Sequence, residues 1–279
     1  MNSKELLQYN RPQSMYDSEV HHYISEVLSS GENFGNDPDK LWEDFKNKFH
    51  NWIIESKLNS AYGLDAFTDR DIITGVTQFI DDIYQTKQNV KVLPNEYKYH
   101  QRLYNNKNTL ENYYDLKPGD NLIISLPFPA YGDIHPDMDK ILDWCFERDV
   151  NVHVDACWWG CSRDLEFNFD YPAIKSIGFS LSKALGLGAN RIGVRYCRDR
   201  WTGPVSLHND FNMCNQALVW LGTKFIDRFG SDFWWNKYRN TYYKICKEFD
   251  LTPTKAVHIA YDNNRICGVR LLLRKYYEG

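Results

Sequence analysis

Phe179-Ser180-Leu181-Ser182-Lys183-Ala184-Leu185-Gly186-Leu187-Gly188-Ala189-Asn190-Arg191-Ile192-Gly193 is the stretch whose reading decides the fold. It sets one lysine among small hydroxyl residues, follows it with glycines, and places an arginine eight residues after Lys183. The next residues, Val194-Arg195-Tyr196, read as a strand. A lysine that is partly desolvated loses its proton more readily and becomes a nucleophile toward an aldehyde. Hydroxyls and a guanidinium beside it suit a phosphate. The glycines let backbone come close to a ligand or to a packed element. Taken alone, Ser-Leu-Ser-Lys is a loop or a helix cap with a solvated lysine. The Gly-x-Gly-x-x-Arg continuation sets it apart.

Three further stretches stand upstream in a fixed order. Val150-Asn151-Val152-His153-Val154-Asp155-Ala156-Cys157-Trp158-Trp159-Gly160 alternates apolar and polar residues up to Asp155, as a short strand does. Asp155 then falls at a strand's carboxyl end, where open α/β sheets gather functional side chains, 28 residues before Lys183. Its simplest other role is to cap the following helix. Asp71-Ile72-Ile73-Thr74-Gly75-Val76-Thr77-Gln78-Phe79-Ile80-Asp81-Asp82-Ile83 reads as strand, glycine turn and helix, and the first N–H groups of such a helix bind anions. Val90-Lys91-Val92-Leu93-Pro94-Asn95-Glu96-Tyr97-Lys98-Tyr99-His100 reads as a strand ending in an aromatic-rich turn.

In that order the motifs resemble the class I/II aminotransferase family of pyridoxal-phosphate enzymes (fold type I), whose signature is S-x-S-K-x-x-G-L-x-x-x-R-x-G. The resemblance spans roughly residues 60–200 and fades at both ends. It implies that Lys183 holds pyridoxal 5'-phosphate as a Schiff base. It implies that Asp155 pairs with the protonated pyridine nitrogen and keeps the ring electron-withdrawing. Gly75, Val76 and Thr77 would bind the phosphate together with Ser180 or Ser182 and Arg191. Tyr97 would stack on the ring, with Tyr99 as the second choice. Two positions depart from the family. Trp158 stands where a tyrosine hydroxyl meets the cofactor's phenolic oxygen, and an indole donates but does not accept. Phe128, in Leu126-Pro127-Phe128-Pro129-Ala130-Tyr131-Gly132, stands where an asparagine contacts the same oxygen. In the C-terminal Asn264-Arg265-Ile266-Cys267-Gly268-Val269-Arg270, Arg265 is the preferred partner for a substrate α-carboxylate and Arg270 the alternative. The implied activity moves an amino group between an amino acid and a 2-oxo acid. The alternatives are another pyridoxal-phosphate reaction (lyase, decarboxylase or racemase) or a non-catalytic binding protein. The implied assembly is a homodimer in which Tyr62 reaches the neighbour's phosphate.

Composition and patterning set the frame. A chain of 279 residues, 43% apolar and 25% charged, can bury a large core. A net charge of -4 without a basic run gives no electrostatic footprint for nucleic acid. Seven cysteines form no C-x-x-C pair, so no metal site is expected, and free thiols fit a reducing, cytoplasmic setting. Met1-Asn2-Ser3-Lys4-Glu5 lacks an apolar signal core, and no apolar run approaches the ~20 residues of a membrane span. The expected fold class is α/β: a mostly parallel sheet flanked by helices, followed by a short C-terminal α+β subdomain. The expected division is an N-terminal helical segment over 1–60, a cofactor-binding large domain over 61–200 and a trimmed small domain over 201–279. Only 96 residues follow Lys183. Helices are expected over Asp39–Ser56, Gln78–Tyr84, Met138–Phe146, Ala217–Phe229 and Phe233–Phe249. Strands are expected at Ile72, Val90, Leu122, Val150 and Ser176–Ser180, with a closing strand pair at Ala256–Tyr261 and Arg265–Leu273.

Overall fold

A computed structural model describes residues 3–9, 15–30, 37–263 and 265–278; Met1, Asn2 and Asn264, which enter the sequence reading, lie outside them. Two helices come first, α1 (Ser18–Ser29) and α2 (Pro38–Ile54). Asp37 caps α2 by accepting the Lys40 N–H, and Pro38 takes the first turn, where a missing N–H has no helical partner to lose. Trp42, Phe45, Phe49, Trp52 and Ile53 form its buried stripe. Then come β1 (Asn59–Tyr62), β2 (Asp69–Ile73), α3 (Val76–Thr86), β3 (Val90–Val92), α4 (Lys98–Tyr104), β4 (Asn121–Ser125), α5 (Met138–Glu147), β5 (Asn151–Asp155), β6 (Leu165–Asn168), β7 (Ile174–Ser180), α6 (Leu181–Ala184) and β8 (Gly193–Cys197). The chain closes with α7 (Pro204–Asp210), α8 (Gln216–Arg228), α9 (Phe233–Phe249), β9 (Thr252–Pro253), β10 (Ile259–Asp262), β11 (Arg265–Gly268) and α10 (Arg270–Glu278).

Six strands build the main sheet in the order β2-β8-β7-β5-β4-β3. Strands β3, β4, β5 and β7 run parallel, and β8 is antiparallel to both of its neighbours. This is the mostly parallel α/β sheet expected from the alternation of strand and helix patterns. Every position of β4 is buried, as in a strand covered on both faces. Adjacent strands β7, β5 and β4 end at Ser180, Asp155 and Ser125, so three polar side chains reach one carboxyl edge.

The sheet's far side is tied together by charge. Arg195 on β8 is fully buried and pairs with Asp71 on β2 and Asp82 on α3, while Ser206 of α7 accepts a third bond from it. A buried charge is tolerable only when its partners are built in, as they are here. One continuous apolar cluster runs from Leu7 to Leu273 through all three spans of the chain.

Two elements differ from the sequence expectation. A two-stranded parallel pair, β1 with β6, lies outside the main sheet. The closing strand expected over Arg265–Leu273 stops at Gly268 and becomes α10. Val269, Leu272 and Leu273 are fully buried and Tyr276 packs beside them, a helical spacing that a strand would split between two faces. Strands β11, β10 and β9 make the small antiparallel sheet.

Candidate active site

Lys183 is presented by α6, a helix of four residues. Ser180 caps it: its hydroxyl oxygen accepts the Ser182 N–H at 3.0 Å and lies 2.8 Å from Ser182 Oγ. Gly160, in the turn after β5, lets that turn touch α6, because a Cβ there would stand 2.6 Å from the Ala184 Cβ. The Trp234 indole donates to the Lys183 carbonyl at 3.0 Å. The half-buried Lys183 Nζ lies 4.9 Å from the centre of the Trp158 ring and 5.6 Å from that of Tyr97, so the ammonium sits against two aromatic faces.

Asp155 ends β5 and is 6% exposed. Its Oδ1 accepts the Cys157 N–H at 2.8 Å, and among the described residues it forms no ion pair. Burial pushes its carboxyl up to about 6, against the Cys157 N–H and the positive charges of Lys183 and Arg191. A carboxylate so placed gains from any cation brought into the pocket.

Opposite Asp155 the site turns basic. Gly75 precedes α3 with φ 80° and ψ 166°, a conformation reserved for glycine. A Cβ on Gly75 would stand 3.1 Å from Arg191 Nε and Nη2 and 3.1 Å from Ser182 Oγ. Thr74 N–H donates to the Gln78 side chain at 2.7 Å, which fixes the turn. Arg191 Nε donates to the Thr74 carbonyl at 3.2 Å, and Nη2 donates to Thr77 Oγ1. The guanidinium thus lies at the positive end of a helix dipole, two like charges that an anion reconciles. With Thr77 Oγ1 accepting from Arg191, the Thr77 hydroxyl hydrogen is left for that anion.

The structure brings most of the expected site residues together. Val76, Thr77, Tyr97, Asp155, Trp158, Ser182, Lys183 and Arg191 line one pocket, and Gly75 forms its edge. Ser180 stands behind the pocket as the cap of α6. Tyr99 instead bonds Asp81 with its hydroxyl. Arg265 is not brought to the pocket; its guanidinium lies 4.5 Å from the centre of the Tyr9 ring. Phe128 also turns away, and Pro127 and Pro129 line the pocket in its place. Phe128 packs on Tyr131 and His135. Tyr62 is exposed at the end of β1.

Four residues escaped the sequence reading. Ser125 and Cys157 line the pocket. Glu96 is buried behind Ser125 and Tyr97 and bonded to both. His258 meets the Trp158 ring edge-on at 4.6 Å, and neither of its ring nitrogens finds a hydrogen-bond partner among the described residues. Burial drives its imidazole down to about 3. Among the described residues no group of His, Cys, Asp and Glu could hold a metal ion, and no helix is long and apolar enough to cross a membrane.

No family model matches the chain, and no curated protein does. Solved structures do. Tyrosine aminotransferase from Leishmania infantum superposes with a TM-score of 0.63 at 11% identity, over 90% of this chain and 79% of that one. An aminotransferase from Mycobacterium tuberculosis gives 0.60 at 14% identity, over 93% and 81%. The pyridoxal-phosphate-bound C-S lyase from Staphylococcus hominis gives 0.58 at 12% identity, over 89% and 75%. At these identities the likeness speaks for architecture, and the architecture of this chain is the aminotransferase fold, fold type I of the pyridoxal-phosphate-dependent enzymes.

Proposed function

We propose that the protein is a pyridoxal-phosphate-dependent aminotransferase that moves an amino group between an amino acid and a 2-oxo acid. The observation that carries the reading is one pocket holding Lys183 between a buried carboxylate, Asp155, and an anion cradle made by the start of α3, Ser182 and Arg191. The gap that a Gly75 Cβ would fill, beside a guanidinium and a hydroxyl, fits a phosphate. Asp155, buried without a cation partner of its own, fits a protonated ring nitrogen. Tyr97 offers a face for the ring. When bound, the cofactor supplies an aldehyde that takes up amino groups and a ring that draws electrons from the substrate's α-carbon.

The chain's residues do the rest. Arg191, Thr77 and the first N–H groups of α3 hold the phosphate and fix the register of the ring. Asp155 holds the ring proton by staying ionised. The aromatic faces of Trp158 and Tyr97 cover the Lys183 amine on two sides. Lys183 Nζ would be the attachment point for the cofactor's aldehyde, and its free amine the base that carries the substrate's α-proton. The spans 61–200 and 201–279 act as cofactor domain and trimmed small domain, and the working form is a cytoplasmic homodimer.

One observation keeps a second reading open: the cations lining the pocket are Lys183 and Arg191, with no arginine from the C-terminal segment. Elimination on the same cofactor needs less grip on a second oxo acid. Absorbance spectra of the protein with pyridoxal phosphate, before and after a pool of amino acids, test the reading, with Lys183→Ala alongside. A cofactor band that the amino acids convert, and that the variant lacks, supports it. No such band in the wild type overturns it. Oxo acid released only when a second oxo acid is supplied favours transamination over elimination.

A further inference from the structure

Glu96 occupies the turn between β3 and α4 and is 3% exposed. Its Oε1 accepts the Tyr97 N–H at 2.7 Å and lies 2.5 Å from the Ser125 hydroxyl, and its Oε2 accepts the Ser125 N–H at 2.8 Å. The carboxyl therefore ties the backbone that carries the ring-facing tyrosine to the strand end that faces Asp155. All three partners are neutral. The titratable groups facing it are Tyr97 from its own turn and Asp155 from β5, while β4 contributes only Ser125. Asp155 has Lys183 and Arg191 as positive neighbours; among the described residues no cation offsets the burial of Glu96. Two buried carboxyls that feel each other's charge do not both ionise readily, and the one without cations keeps its proton.

The location of that proton matters. Two backbone N–H groups point at the two carboxyl oxygens and cannot turn round. The Ser125 hydroxyl can. If Glu96 is ionised, Ser125 spends its hydrogen on Glu96. If Glu96 is protonated, its O–H donates to Ser125 Oγ at the 2.5 Å contact, and the Ser125 hydrogen is released toward the pocket it lines.

We propose that Glu96 is a positioning residue: holding its proton while Asp155 gives up its own, it fixes the Tyr97 wall and turns the Ser125 hydroxyl into the pocket as a donor to the bound cofactor. The inference rests on the pyridoxal-phosphate reading. It supplies a donor on a wall where Trp158 stands in place of the family's tyrosine and where Pro127 and Pro129 line the pocket while Phe128 turns away. Burial, with Asp155 adding to it, pushes the Glu96 carboxyl up to about 7, so the protonated state persists to neutrality.

The test uses wild type, Glu96→Gln and Ser125→Ala. Ser125→Ala removes only the presented hydroxyl and leaves both N–H bonds, so it guards against misfolding of the Glu96 variant. The infrared carbonyl stretch of a protonated buried carboxyl is followed on the bare protein against pH. It is expected in the wild type on the acid side, fading as pH passes about 7, and in Glu96→Gln only the part owed to Asp155, which fades through about 6, is expected to remain. Pyridoxal-phosphate affinity is followed by absorbance over the same range. Ser125→Ala is expected to bind roughly tenfold more weakly on the acid side of neutrality, a fold-change typical of one lost buried partner, and both variants to lose the part of the wild type's change in affinity that follows Glu96 at about 7 while keeping the part that follows Asp155 at about 6. Superimposable infrared spectra of wild type and Glu96→Gln, or wild-type affinity and pH profile in Ser125→Ala, overturn the inference. A wild type that takes up no pyridoxal phosphate sinks the cofactor reading instead, and the infrared arm still decides the Glu96 proton.

Discussion

Asp155 and Ser125 stand opposite each other at the carboxyl ends of β5 and β4, and the Leu126 N–H closes the pair by donating to the Asp155 carbonyl at 2.8 Å. The strand ends are thereby rigid, and what titrates there reports on the fold as well as on the site. Burial raises Asp155 from 3.8 to about 6. A raised folded value means that the associated stability is full below 3.8 and lost as pH rises through about 6. That gap is worth at most about 3 kcal/mol. Asp155→Asn should therefore make the cofactor-free protein more stable than wild type at pH 7, by about 1–3 kcal/mol, with little difference near pH 4. The same variant should lose cofactor affinity. Thermal melts across pH check the first point, and equal pH profiles for the two proteins would refute it.

On the proposed reading, Arg191 and the start of α3 would hold the phosphate and no other part of the cofactor. Arg191→Ala should thus weaken pyridoxal phosphate by roughly a hundredfold while leaving pyridoxal, which lacks the phosphate, nearly unchanged. Competition by inorganic phosphate should weaken in parallel. Equal losses for both aldehydes would place the guanidinium elsewhere in the reaction.

Gly75→Ala tests the turn itself. Its φ of 80° strains any L side chain, and a methyl there would stand 3.1 Å from Arg191 and Ser182, whose side chains must give by a few tenths of an ångström. The expected cost is about 1–3 kcal/mol of stability, together with a displaced Arg191 and weaker phosphate binding. A variant that melts with the wild type and binds phosphate equally would show that the turn relaxes freely.

His258 gives a prediction of opposite sign to that of Asp155. Its imidazole is lowered from 6.5 to about 3, so the stability it carries is present above 6.5 and lost as pH falls. From pH 7 to 5 the loss is about 2 kcal/mol. Since both ring nitrogens lack partners, His258→Phe forfeits no hydrogen bond and keeps an edge-to-face ring against Trp158. The variant should resist acid better than wild type in pH-dependent denaturation. An unchanged acid limb would mean that His258 has a partner, such as a bound water.

Much of the site was legible because its chemistry demands residue types at fixed places. A lysine after a serine cap, an aspartate at a strand end and a glycine before a helix each announce themselves locally, and their order narrows the fold. Glu96 did not announce itself. A glutamate between Asn95 and Tyr97 reads as a solvated turn residue, and its burial comes from Ser125, 29 positions away, which the pairing of β3 with β4 brings near. Arg265 stays away from the pocket for a related reason. Its place near the C-terminus suggested a carboxylate partner, but the segment folds against Tyr9, and the chain turns at Gly268 into α10. Phe128 lies in the bend and turn after β4, and its neighbours Pro127 and Pro129 face the pocket instead.

The buried Arg195 reaches from β8 to Asp82, inside α3, and to Asp71 on β2. Arg191, only four residues before Arg195, grips the other end of the same helix at Thr74 and Thr77. One short stretch of chain thus holds α3 at two points, one exposed to ligand and one sealed from water. The anion cradle is a braced joint rather than a loop end. Loosening the sealed Arg195–Asp82 contact should be felt as slackness at a pocket that neither residue lines.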